Sequence, residues 1–404
     1  MKKLLIISYY WPPLGGPGSI RPVKFAKYLP KFGIEPIILT RKNIAYHSFD
    51  EELQSEVKNV KVIKTESLDP ARILYSIGMR TYRPKKWHRP IKEAINFPDN
   101  KLPWIPFAYD AGKKIDIDYI FVTAPPFSSF ITGYMLARKM GKPLIMDFRD
   151  AWLEFPFMPY RDKTKRTFVS YWEEKITNFA SVIIVVDENI KNSLIKKYPR
   201  ISKKIYVLPN GYDPDDFITT IKPAVFTISY IGTVREERDP ENFLQAVNQL
   251  ILENRINKKD LMVKFIGHIE DRYLQKIKEY TFVNTLGHLP YHKAIKEFSS
   301  SHCALLITTG SEYFFPSRQN EYLASGLPII VCGKSKGIHL LEEAFKKGCP
   351  GWIYDYDDIE GMKNKIYEIY QSFKNAKILK GETPYKEHTR ENLTKKLAEL
   401  IEKM

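Results

Sequence analysis

PSRQNEYLASGLPII, residues 316–330, reads as a short helix with both ends marked, running into a buried strand. Pro316 stops the preceding segment, and Ser317 is placed to cap the helix N-terminus. Gly326 suits the left-handed position after the last turn, and Pro328 prevents continuation. The apolar run at 327–331 then has strand character. Unpaired N–H groups and a partial positive charge at a helix start suit a phosphate. Glu321, one turn in, is placed to reach a ribose hydroxyl beside it. Taken alone, the same residues also describe a helix whose Glu favours the local dipole.

This stretch closes a second round of strand–helix alternation. Strands are expected over 226–231, 262–266, 281–285, 304–308 and 328–332, with helices over 240–253, 273–278 and 291–299 between them. The N-terminal half carries the first round: strands over 3–8, 35–39, 119–123, 143–146, 182–186 and 205–208, and helices over 20–29, 128–140 and 168–179. Helices over 359–375 and 384–403 close the chain. The pattern is α/β, with two Rossmann-like doubly wound domains expected to face across a cleft and to bind ligands beyond the carboxyl ends of their strands. The expected domains are 1–210 and 211–382, with a final helix within 383–404.

At 404 residues, two domains are the natural division, and 44% hydrophobic content with 27% charge describes a globular chain. Cys303, Cys332 and Cys349 fit neither a disulfide framework nor a metal spacing, which points to a reducing cytoplasm. The apolar run at 4–7 is too short for a signal-peptide core, and no window approaches a membrane span. Residues 1–210 hold 36 Lys+Arg against 20 Asp+Glu, and residues 211–404 hold 27 of each, so the whole +16 lies in the first half. Such asymmetry points to an anionic partner, a membrane surface foremost, or to a generic solubilising surface. Basic and aromatic residues interleave at 79–90 and 100–109, which suits lipid headgroups or a saccharide or lipid-phosphate pocket; no nucleic-acid module accompanies them, and no nucleic-acid partner is expected.

Candidate chemistry sits at the strand ends. Gly15, Gly16 and Gly18 precede the first helix in YYWPPLGGPGSIRP (9–22), where they permit close backbone approach or simply form a turn. DFRDAW (147–152) sets Asp147, Arg149 and Asp150 after a buried strand, where Asp147 and Arg149 are either functional or paired with each other. TAPPFSS (123–129) offers the Ser128 hydroxyl at a helix start. In GTVREERDP (232–240), Gly232 and Thr233 leave room for a ligand, and Arg235 or Arg238 is placed to neutralise a diphosphate. Asp116 and Asp118 precede their strand, and Pro290 separates His288 from His292, so neither pair suggests a metal.

Together with LPNGYDPDDF (208–217), these segments resemble, in order and over nearly the whole chain, a retaining GT-B glycosyltransferase of the family 4 type. The resemblance implies a nucleotide-sugar donor on the C-terminal domain, an acceptor on the N-terminal one, and a final helix that crosses back to the first domain. It assigns donor contacts to Gly232, Thr233, Arg238, Ser317, Arg318 and Glu321, and acceptor or cleft roles to Gly15, Gly16, Gly18, Ser128 and Asp147. Arg238 and Arg318 are expected to stabilise the departing diphosphate, with Arg149 and Asp150 as further catalytic candidates near the acceptor. The family has a second Glu eight positions before the ribose-binding one; here that position is Tyr313, with Glu312 beside it. Neither cofactor nor metal is expected, since fixed cations and a helix N-terminus can carry the leaving-group charge. The expected acceptor is a saccharide or polyprenyl-diphosphate-linked sugar, used in surface polysaccharide or glycoconjugate assembly at the inner face of the membrane. A GT-B nucleotide-sugar epimerase and a catalytically silent sugar-nucleotide or polyanion binder are the competing readings.

Overall fold

The computed structural model describes residues 1–81, 98–154, 160, 162–217, 221–308, 316–377 and 379–404. The segment 79–90 and the positions of Glu312 and Tyr313 fall wholly or largely outside the described residues. The chain divides into two compact units, one of Met1–Asn210 with Arg390–Met404 and one of Gly211–Thr389.

The first unit is built on a seven-stranded parallel sheet: β1 (Lys2–Ile7), β2 (Ile34–Arg41), β3 (Lys61–Thr65), β4 (Tyr119–Ala124), β5 (Leu144–Phe148), β6 (Val182–Val185) and β7 (Ile205–Val207). Their order is β3-β2-β1-β4-β5-β6-β7, which places the topological switch between β1 and β4. The second unit has β8 (Phe226–Ile231), β9 (Leu261–Ile266), β10 (Val283–Gly287), β11 (Cys303–Ile307), β12 (Ile329–Cys332) and β13 (Gly351–Tyr354). The order β10-β9-β8-β11-β12-β13 puts its switch between β8 and β11.

Central strands covered on both faces are largely apolar, and every residue of β5, β8, β11 and β12 is buried, the polar Asp147, Thr227 and Ser229 among them. Phe226, Ile228 and Tyr230 of β8 pack with Phe243, Leu244, Val247 and Leu250 of the helix Glu241–Leu252. Each such large side chain contributes roughly 1.5–3 kcal/mol when fully buried. Cys303 and Cys332 lie in this core, where burial pushes both thiols up to about 12. The edge strands β3 and β13 are only partly buried and escape the sequence pattern, while the edge strands β7 and β10, also partly buried, lie on or near expected runs. Strand ends approach closely in the second unit. A Cβ on Gly333 (φ +96°) would lie 1.7 Å from the Thr308 carbonyl oxygen, and one on Gly267 (φ +137°) 2.0 Å from that of Gly232.

The last helix, Arg390–Glu402, buries Leu393, Leu397 and Ile401 and packs against the helix Pro17–Tyr28 of the first unit. It begins six residues later than the expected 384. The intervening Tyr385 is held to Glu343 by a 3.1 Å hydrogen bond and stacks on His388.

Candidate active site

In the second unit, three arginines converge at the carboxyl end of β8. The hub is Tyr230, a buried tyrosine whose hydroxyl donates to the Thr233 carbonyl at 3.1 Å. Burial raises its phenol, while Arg238, by charge and by a hydrogen bond, and then Arg235 and Arg318 oppose that rise. Burial and, next, the like charge of Arg238 lower the proton affinity of Arg235. Glu237 and Glu270 act on Arg235 with the opposite charge. Glu237 pairs with Arg235 at 3.0 Å, while Glu236 is turned to Arg272 at 3.1 Å. Crowded guanidinium groups at a strand end suit a multiply charged anion.

Arg318 joins the cluster to Glu321. Its Nη1 lies 3.5 Å from the Glu321 carboxylate and has no hydrogen-bond partner among the described residues, and its guanidinium is 5.8 Å from the Tyr291 ring. Glu321 is buried and accepts a 2.9 Å hydrogen bond from the Tyr291 hydroxyl. Arg238, Arg318, Glu321 and the backbone at Gly232 and Thr233 are thus brought to one end of one sheet. Ser317 is not the N-cap: Arg318 occupies that position without a side-chain capping bond, and Ser317 is exposed one residue earlier. The helix is Gln319–Ala324, and Gly326 takes the expected left-handed conformation at φ +68°.

In the first unit the structure separates the candidates. Asp147 lies inside β5, fully buried, and receives Arg21 through Nη2 at 2.8 Å and Nε at 3.1 Å, with the Thr123 hydroxyl at 2.7 Å. It does not pair with Arg149. Arg21 also donates to the carbonyls of Leu208 and Pro209. Ser128 is buried, and its amide and hydroxyl are taken by Asp99 at 2.8 and 2.7 Å. Both side chains are therefore committed to the framework. Gly15 is wedged against Ser48 and Asp50, and Gly16 (φ +91°) is the N-cap of the helix Pro17–Tyr28.

Arg149 remains at the strand ends, partly exposed, and donates to the carbonyls of Gly18, Ala124 and Pro125. Its charge also reaches the Tyr10 and Tyr46 rings, which lie 5.8 Å apart. Asp150 stands beside it; burial pushes this carboxyl up to about 7 against the opposing charge of Arg149. Below about pH 4 that carboxyl is protonated in folded and unfolded chains alike. From there to about pH 7 the unfolded chain ionises while the folded chain keeps its proton, so this group's contribution to stability falls as pH rises. Asp150→Asn is expected to gain stability relative to wild type between pH 4 and 7 and to hold that gain above it, as read by urea unfolding across that range.

The Tyr230 hub and the Asp99–Ser128 contact were not foreseen, since no sequence spacing marks them. Among the described residues, no group of three His, Cys, Asp or Glu side chains could hold a metal. The helix Tyr291–Ser299 starts after Pro290, and His292 pairs with Asp216 at 3.1 Å. Asp116 pairs with Lys3 at the amino edge of the first sheet.

Residues 23–216, just under half of the chain, match the model of Glycosyltransferase Family 4. No curated protein matches the sequence. Among solved structures, HepE of Anabaena in complex with UDP-glucose is similar over the full length of both chains, with 12% identity and a TM-score of 0.68. Sucrose-phosphate synthase of Thermosynechococcus elongatus is 15% identical with a TM-score of 0.68, over 100% of this chain and 99% of its own. The UDP-GlcNAc 2-epimerase of Neisseria meningitidis bound to UDP-GlcNAc aligns over 100% of both chains at 14% identity, with a lower TM-score of 0.55. The chain has the GT-B glycosyltransferase fold, and its N-terminal unit carries the family 4 match.

Proposed function

We propose that the protein transfers a glycosyl group from a nucleoside-diphosphate sugar, held by the unit Gly211–Thr389, to a saccharide or polyprenyl-diphosphate-linked acceptor engaged by the N-terminal unit. The transfer retains anomeric configuration, needs no metal, and serves the assembly of a surface polysaccharide or glycoconjugate at the cytoplasmic face of a membrane. The observation that carries this reading is the convergence of Arg235, Arg238 and Arg318 on Tyr230, next to the buried Glu321.

Cleavage of the donor leaves negative charge on its β-phosphate. Arg238 and Arg318 stabilise that charge without reorganisation at the moment of reaction. The acceptor oxygen forms its bond to the anomeric carbon on the face from which the phosphate departs, and the departing phosphate takes the acceptor's proton. Glu321 holds the ribose hydroxyls through the carboxylate oxygens that Tyr291 and Arg318 orient. Arg149, tied to backbone carbonyls, and Asp150 position the acceptor. Glu321→Ala is expected to weaken binding of the matching nucleoside diphosphate roughly tenfold or more, the worth of a charge-assisted hydrogen bond. Titration calorimetry reads this directly; wild-type affinity in the variant removes Glu321 from the donor site.

Incubation with a panel of UDP-, GDP- and ADP-sugars, with and without a lipid-linked acceptor, tests the reading. Donor consumption that requires acceptor supports transfer. An isomerised donor or free sugar formed without acceptor supports the epimerase reading; the Neisseria meningitidis epimerase shares the fold. Binding without turnover leaves a sugar-nucleotide binder.

A further inference from the structure

The N-terminal unit presents an aromatic surface that its fold does not bury. On the helix Lys163–Phe179, Val169, Glu173, Ile176 and Thr177 turn inward. Phe168, Trp172, Lys175 and Phe179 follow at i, i+4, i+7 and i+11, a second stripe beside that face. Phe168, Tyr171 and Phe179 are 38%, 54% and 41% exposed. The stripe extends onto the helix Ser128–Met140, whose Tyr134 meets Trp172 and Phe179 edge-on at 6.0 and 5.0 Å.

Cations are built into this surface. The Lys175 ammonium lies 4.9 Å from the Tyr171 ring and 5.1 Å from that of Trp172, and donates to the Tyr171 hydroxyl at 2.7 Å. The Arg138 guanidinium stands 5.7 Å from the Tyr134 ring. The same two helices also carry Lys163, Lys165, Arg166 and Lys139, and Glu174 is their one carboxylate outside the core. Rings held among lysines and arginines have an apolar body and a wet, cationic rim, the chemistry of a lipid headgroup boundary.

We propose that this patch seats the protein on an anionic lipid surface. Charge complementarity selects that occupant: the chain's entire +16 lies in residues 1–210, so a second copy of the same face would set cations against cations. The contact is peripheral, since no helix among the described residues is long and apolar enough to cross a membrane. The proposal gives the membrane-presented acceptor of the proposed function a physical basis, but its test uses no sugar and is read independently of turnover.

The full-length protein is floated with phosphatidylcholine vesicles with and without phosphatidylglycerol, at low and high salt. Wild type is expected to float only with the anionic vesicles and to be released in part by salt. Phe168→Ser with Phe179→Ser lowers the bound fraction at least about tenfold, and Lys175→Glu lowers it severalfold, both with an unchanged thermal midpoint. Ile73→Ser with Ile77→Ser, at an exposed site on or after the helix Pro70–Ser76, leaves binding unchanged. Unaltered flotation of both the Phe168/Phe179 and the Lys175 variants overturns the proposal, as does loss of binding in the Ile73/Ile77 variant alone. Wild type that ignores anionic vesicles, or that self-associates through these rings in light scattering, overturns it equally.

Discussion

Arg238→Ala lowers kcat for sugar transfer by roughly a hundredfold, with a smaller change in donor KM, and Arg318→Ala does so by a comparable factor. Both guanidinium groups act on the phenol oxygen of Tyr230, one by a hydrogen bond and the other through its charge, so both reach the same small region. A phosphate placed there acquires its extra charge only as the glycosidic bond breaks, which is why the loss falls on turnover more than on binding. Because they serve one anion, the double variant should fall well short of the product of the single effects. Lysine at either position restores part of the rate, since it supplies a point charge without the planar fork. Arg235 is a weaker contributor because Glu237 already engages it at 3.0 Å. Steady-state kinetics with the matching donor and acceptor decide the matter: kcat unchanged in both single variants removes the phosphate role.

The same arginines show what a sequence carries and what it withholds. Strands covered on both sides announce themselves by unbroken apolar runs, as β11 and β12 do, and a glycine that must be left-handed, such as Gly326, is legible beside a following proline. The edge strand β3, KVIKT, is partly solvated and lacks that signature. Capping by Ser317 failed because the helix starts two residues later, with Arg318 at the cap. Arg238 and Arg318 were named from position and charge, but their meeting at Tyr230 depends on the parallel pairing of β8 with β11 and on the return of the chain through β12. Asp147 and Ser128 illustrate the opposite error. A polar residue at or just beyond a strand end has the composition of a functional group, yet burial plus a nearby Arg21 or Asp99 makes it framework, and those partners lie 126 and 29 residues away in sequence.

Asp147→Ala is therefore expected to unfold the N-terminal unit more readily without touching acceptor recognition. The carboxylate is fully buried and the Arg21 side chain only 2% exposed, so removing the anion strands a guanidinium with two carbonyls as its remaining acceptors. Breaking a buried pair from one side costs about 3–5 kcal/mol, because the surviving charge keeps its desolvation penalty and loses its partner. In a unit of this size that is a fall in the thermal midpoint on the order of 10 °C. Arg21→Ala should be milder, since the remaining carboxylate keeps the Thr123 hydroxyl at 2.7 Å. Replacing both partners at once, Arg21→Met with Asp147→Leu, removes both desolvation costs and should recover most of the loss. Calorimetry of wild type and the three variants reads these differences directly. If instead Asp147→Ala keeps the wild-type midpoint while raising KM for the acceptor, the carboxylate belongs to the acceptor site after all, and the ion pair with Arg21 is incidental to stability.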